Sequence, residues 1–249
     1  MCLIVVGWRV HADYPLVVAA NRDEFYARPT ADAAAWPDAP DVFGGIDREA
    51  GGTWLGICRS GRFAAVTNVR EPGMAKGACS RGALTRDFLL AHEAAIDYAQ
   101  QLDGDRYSGF NLLLSDGEDL VYCSNRDGEA RSLAPGVYGL SNHLLDTPWP
   151  KLLTARQRFA TALPALPDTR ALFALLADDA IVADAELPQT GVSLEWERRL
   201  SAIFVKSENY GTRASTAAWQ RQDGAVCLQE QRFGPNGQAL QSSLISTAV

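Results

Sequence analysis

Cys2-Leu-Ile-Val-Val-Gly-Trp-Arg9 and Pro15-Leu-Val-Val-Ala-Ala20 are two short β-branched runs. They are parted by His11-Ala12-Asp13-Tyr14, and the second stops at Asn21-Arg22-Asp23-Glu24. Runs of this length and composition, broken by a polar turn, read as a strand pair. The leading run has no basic leader and is too short for a secretory signal or a membrane span. It reads as a strand that carries Cys2 at its very start. If Met1 is removed, as a small second residue permits, Cys2 holds a thiol and a free α-amine on one carbon. With a pKa of roughly 7.7–8.0, that amine can take the proton of its own thiol, the arrangement of an N-terminal nucleophile. A buried small strand residue is the ordinary alternative for Cys2.

Residues 53–59 and 62–68 read as a hairpin around Ser60-Gly61. Apolar spacing predicts a helix over 83–102, and strands are expected at 109–115, 119–124 and 137–141. Amphipathic helices are expected at 149–163 and 169–177, and closing strands at 212–221 and 225–233. Segments 29–50 and 69–82, rich in Pro, Ala, Asp or Gly, read as surface loops. Strands, then helices, then strands that rejoin the first ones indicate one α+β domain spanning 1–249.

Of the 249 residues, 47% are hydrophobic and 21% charged, with a net charge of −7. That balance, with scattered basic residues, argues against a nucleic-acid partner. Five cysteines, an odd number with no CxxC pair, suit a reducing cytoplasm better than a disulfide framework. The three histidines are far apart in sequence, so no metal site is expected.

Strand alternation puts Asn21 and Asp23 on one face and Arg22 on the other. A guanidinium near Cys2 would favour its thiolate, and Asp23 could hold the α-ammonium. The motif Gly51-Gly52-Thr53-Trp54-Leu55-Gly56 permits close backbone approach and offers Trp54 as a flat wall. Asn68 ends the partner strand at the same rim. Asn142, after Gly139-Leu140-Ser141, could donate to an oxyanion, and His143 follows it directly. Arg213, opening a late strand, suits an anionic group. Glu24 completes the polar run. Turn, cap and salt-bridge roles are open for each.

Together these stretches resemble a known family. Cys2, Asn21-Arg22-Asp23-Glu24-Phe25 with Arg28-Pro29, the Gly51–Gly56 motif and Thr67-Asn68 come in that family's order. Gly109-Phe110-Asn111-Leu112, Tyr138-Gly139-Leu140-Ser141-Asn142, Thr147-Pro148-Trp149-Pro150-Lys151 and Tyr210-Gly211-Thr212-Arg213 continue it. The chain resembles the NRDE family, also called the transport and Golgi organisation protein 2 family, over about residues 1–216. The resemblance implies a fold of the N-terminal-nucleophile-hydrolase type, a four-layer αββα sandwich. It also implies a part in haem trafficking or in acyl-lipid and acyl-CoA handling. The chain is more distantly similar to choloylglycine and penicillin V acylases, where an Arg precedes the site Asp by three residues. Here Arg22 adjoins Asp23, so that Arg role does not carry over, while Asp23, Asn142 and Arg213 match by order.

Two functions follow. One is a carrier of haem or an acyl-CoA-like amphipathic anion, with Trp54, Trp149, Phe25 and Tyr210 as apolar walls and Arg22 or Arg213 as anchor. His11, His92, His143 and Met74 are the candidate haem ligands, and no cofactor is otherwise required. The other is a Cys2-dependent amidohydrolase acting on a non-peptide C–N bond, with Asp23 orienting the amine and Asn142 holding the oxyanion. The resemblance favours the carrier.

Overall fold

The computed structural model describes residues 2–247. β1 (Cys2–Trp8) is buried along its whole length because it is covered on both faces. Leu3 and Val5 pack with Val17, Ala19 and helical residues Leu152, Phe159 and Leu172. Ile4, Val6 and Trp8 pack with Leu55, Ile57, Phe63 and Leu113 of a second sheet. A strand buried on both sides needs apolar residues at successive positions. At roughly 1.5–3 kcal/mol for each large side chain buried, this run holds the two layers together.

The first sheet is antiparallel throughout. It consists of β10 (Gly136–Leu140), β1, β2 (Leu16–Phe25), β11 (Tyr210–Gln220), β12 (Val226–Phe233) and β13 (Ala239–Ser246), in that spatial order. The second sheet, also antiparallel, runs β3 (Ala34–Trp36), β4 (Ala39–Gly44), β5 (Leu55–Cys58), β6 (Phe63–Asn68), β7 (Phe110–Ser115), β8 (Leu120–Ser124), β9 (Arg131–Ser132). α1 (Arg81–Leu90) and α2 (Ala95–Gln100) cover its outer face through Leu84, Phe88, Leu89, Ala95 and Ala99. α3 (Pro150–Ala162) and α4 (Arg170–Leu176) cover the first sheet, and α5 (Leu194–Leu200) lies near the chain's return to β11. The layers are therefore helix, sheet, sheet, helix, as the family resemblance implied.

The expected helix over 83–102 is two helices. Arg62 donates to the carbonyls of Phe88 and Glu93, and Asp116 Oδ2 accepts from Ala95 N–H at 2.7 Å. These bonds stop α1 and start α2 from outside the helical segment, beyond the reach of local periodicity. Segment 29–50 is not a loop throughout: β3 and β4 form a hairpin onto the edge of the second sheet. β13 and α5 fall where no element was expected.

Candidate functional site

In the β1–β2 register Cys2 lies directly opposite Arg22. Opposed residues in an antiparallel pair share a face, with Cβ atoms about 4.5–5.5 Å apart. Both side chains therefore turn to the space between the sheets, where they line a cavity of about 360 Å³. Its walls come from both sheets and from the loop before α1. Of the residues singled out in the sequence, Cys2, Arg22, Asp23, Glu24, Trp54, Asn68 and Arg213 line it, while Asn21, Asn142 and His143 do not.

Those three have other places. Asn21 is fully buried on the helical face of β2, donating to the carbonyls of Leu176 and Ile203 at 2.8 Å each and accepting from the Ser215 hydroxyl at 2.6 Å. It fastens the sheet to the helical layer. His143 is exposed, its Nδ1 2.9 Å from Thr147 Oγ1, in the loop leading to α3. Asn142 is fully buried beneath Cys2. Its Oδ1 accepts the Cys2 backbone N–H at 3.3 Å, and its Nδ2 donates to the backbone and side-chain oxygens of Asn68 at 3.0 and 2.9 Å. An amide nitrogen has two protons, so Asn142 has none left for an oxyanion. Fixing Asn68 Oδ1 in this way leaves Asn68 Nδ2, on the cavity wall, without a hydrogen-bond partner among the described residues.

The Asn142–Asn68 contact joins the end of β10 to the end of β6, and Arg70 N–H adds a bond to the Asn142 carbonyl at 2.8 Å. Behind it, Asn111 Nδ2 donates to Thr67 Oγ1 and to the His143 carbonyl, and Tyr122 Oη donates to Asn111 Oδ1 at 2.8 Å. The Gly109–Leu112 motif thus holds the loop after β10 against the second sheet. Ser141 Oγ donates to the Cys2 carbonyl at 2.9 Å. Cys2 is held through its backbone on both sides while its sulfur faces the cavity.

Asp23 lies near Cys2 and is almost fully buried; its Oδ1 accepts from Thr212 Oγ1 at 2.7 Å. Burial pushes its carboxyl above the usual range, an effect that Lys151 opposes. Lys151, the last residue of the Thr147–Lys151 motif, is buried on α3, where its Nζ donates to the Leu200 carbonyl at 2.9 Å. Burial pushes it down to about 8, against the pull of Asp23. The Cys2 thiol is raised rather than lowered, because loss of solvent outweighs Arg22. That corrects the expectation of a stabilised thiolate.

The cavity wall mixes apolar residues such as Ile46, Trp54 and Val66 with many charged ones. Arg28 pairs with Asp47 at 2.8 Å and Glu49 at 3.1 Å, and Arg22 sits 3.8 and 3.9 Å from Glu24 and Asp47. Arg213 NH1 donates to the carbonyls of Phe25 and Arg28, closing the turn after β2. Among the expected apolar walls only Trp54 lines the cavity. Phe25 and Trp196 pack edge-on against buried Tyr210, and Trp149 packs in the helical core. Arg81, at the start of α1, is a lining residue that sequence reasoning missed. No histidine or methionine is on the wall. Among the described residues no group of three or more His, Cys, Asp or Glu is placed to hold a metal, and no helix is long and apolar enough to cross a membrane.

The Transport and Golgi organisation 2 family model matches residues 1–235. The chain belongs to that family. The Transport and Golgi organization protein 2 homologs of Bos taurus and Homo sapiens are each 37% identical, over 241 and 238 residues, covering 87% of this chain and 86% of each relative. The Drosophila melanogaster protein of the family is 32% identical over 170 residues, 61% of this chain and 60% of its own. Among solved structures, a Caenorhabditis elegans N-acylethanolamine-hydrolyzing acid amidase ortholog matches with a TM-score of 0.53 at 14% identity, covering 87% of this chain and 92% of that one. The mutant C2A of a conjugated bile acid hydrolase from Clostridium perfringens matches with a TM-score of 0.52 at 9% identity, covering 98% and 92%. At those identities the likeness is one of fold, and this family member has the fold of the N-terminal-nucleophile-hydrolase type.

Proposed function

We propose that the chain is a Cys2-dependent amidohydrolase acting on a small non-peptide amide. The observation that carries this reading is the seating of Cys2: its sulfur lines the cavity while its backbone nitrogen is held by Asn142 Oδ1, with Asp23 nearby. Met1, whose removal the reaction requires, lies outside the described residues. Once it is removed, that nitrogen is the α-amine. The amine takes the thiol proton, and Sγ attacks the amide carbonyl carbon. Asn68 Nδ2 donates to the oxyanion that forms. The C–N bond breaks as the α-ammonium protonates the departing amine, leaving an acyl thioester on Cys2. Water, deprotonated by the same amine, then attacks the thioester, the S–C bond breaks, and the free acid leaves. A thiol that is neutral at rest suits this cycle, because its proton goes to the neighbouring amine as it attacks. The amidase and bile acid hydrolase neighbours support the reading only by analogy of fold.

The second reading, a carrier of an amphipathic anion, draws on the arginine-bearing cavity wall. Haem bound there would find no histidine or methionine, leaving Cys2 or Cys79 as ligand. The test is turnover of a panel of N-acyl amides by Met1-free wild type, Cys2→Ala and Asn68→Ala. Cys2→Ala is expected to abolish turnover, and Asn68→Ala to lower it about 10²–10³-fold, the usual cost of one oxyanion donor. Equal turnover by Cys2→Ala would refute the amidohydrolase; tight anion binding without turnover by the processed protein would establish the carrier.

A further inference from the structure

Five other cations share the cavity wall with Arg81. Arg28 and Arg232 are ion-paired with Asp47 and Asp32, and Arg22 stands between Glu24 and Asp47. Arg213 is engaged by backbone carbonyls, and Lys76 is exposed at the rim. Arg81 differs from these. Among the described residues no carboxylate lies within ion-pair distance of it, and its one hydrogen bond runs from NH1 to the Gly109 carbonyl at 3.2 Å. It is half-buried and desolvated enough to lower its pKa, and among ionisable groups it couples most strongly to Cys2, which shares the cavity wall. Its position is rigidly set. Gly51-Gly52 packs against the first turn of α1, where Thr53 N–H donates to the Gly82 carbonyl at 3.2 Å and Thr85 Oγ1 donates to the Thr53 carbonyl. A desolvated guanidinium with most of its donor fork unused calls for a planar anion.

We propose that Arg81 receives a carboxylate carried by the substrate close to its reacting carbonyl, so that the cavity selects acidic amides over neutral ones. This rests on Cys2 being the attacking group. One spare cation beside Cys2 matches one negative charge. A doubly charged phosphate would also meet Glu24 and Asp47, which share the wall.

Iodoacetate and iodoacetamide test this without requiring hydrolysis or Met1 removal. They are nearly the same size, differ in charge, and each loses iodide to attack by Cys2 Sγ. Dividing the two rates at Cys2, measured by mass mapping, cancels any change in the thiol's own reactivity. Arg81→Gln is expected to lower the iodoacetate-to-iodoacetamide ratio about tenfold, the loss of one charge-assisted contact. Arg81→Lys should keep most of the ratio, as should Arg86→Gln, a change at a partly exposed residue of the same helix that pairs with Asp87 and lies off the cavity wall. In wild type the ratio should fall as salt is raised, a reading independent of whether any variant folds. An unchanged ratio in folded Arg81→Gln overturns the proposal, as does wild-type Cys2 that iodoacetate fails to label. If the ratio behaves as expected while no amide is hydrolysed, the acidic subsite stands and the amidohydrolase reading falls.

Discussion

At the scale of single residues, the site places buried ionisable groups side by side. Cys2 and Asp23 are both pushed toward their neutral forms by burial, and Lys151 is pushed down to about 8 from 10.5. For Lys151 the consequence for stability has a definite sign. Between pH 8 and 10.5 the unfolded chain holds the lysine proton and the folded chain does not, so stability gains with rising pH. At about 1.36 kcal/mol per pH unit, the gain over that window is about 3 kcal/mol. Lys151→Met should lack it. Urea unfolding of both proteins at intervals from pH 7 to 10.5 checks this: the stability difference between wild type and variant should move in favour of wild type as pH rises. Parallel curves would show that Lys151 is not desolvated. Residue types along the chain single out Cys2 and Asp23, which line the cavity, and also Asn21 and Asn142, which lie off it. Alternation shows which residues share a face, not which face is wet. An amide's donor direction is set by its neighbours, here Asn68 and the Cys2 backbone, which lie far away in sequence.

At the scale of elements, the site depends on close contact between the Gly51–Gly56 motif and α1. A Cβ on Gly52, whose φ is +80°, would sit 2.2 Å from the Gly82 carbonyl oxygen. Gly73 has a similar φ of +82° with no atom within 4 Å of such a Cβ. Gly73→Ala should therefore cost about 1–2 kcal/mol, the left-handed backbone penalty alone. Gly52→Ala should cost at least about 2 kcal/mol more, because α1 must move. Thermal or urea unfolding of the pair checks this; equal losses would mean that the contact yields easily. The same geometry explains why Arg81 escaped notice. Segment 69–82 reads as a glycine-containing loop, and nothing local signals that Ser80 caps a helix that turns Arg81 toward Cys2. The paired runs of β1–β2, β5–β6 and β7–β8 were readable because their turns are short and their residues apolar. β3 and β4 were not, because Pro, Ala and Asp dilute the strand pattern in an edge hairpin that gains its order from pairing with β5.

At the scale of the whole molecule, two sheets pack through one apolar layer, and the cavity opens where that layer ends. β1 and β2 enter the interface as Ile4, Val6, Val18 and Ala20, then present Cys2 and Arg22 where packing gives way to polar groups. The layered fold itself followed from the family resemblance and not from periodicity, since a run buried on both faces carries no alternation. In the proposed cycle Cys2, freed of Met1, becomes acylated by an amide. Intact-mass and peptide mass spectrometry of wild-type protein, acid-quenched during turnover of an acidic N-acyl anilide, tests it most directly. The expected result is a Met1-free chain carrying one acyl mass, mapped to the peptide that begins at Cys2 and absent from Cys2→Ala. An acyl mark on another residue, or anilide cleavage by Cys2→Ala at the wild-type rate, would rule out Cys2 as the nucleophile.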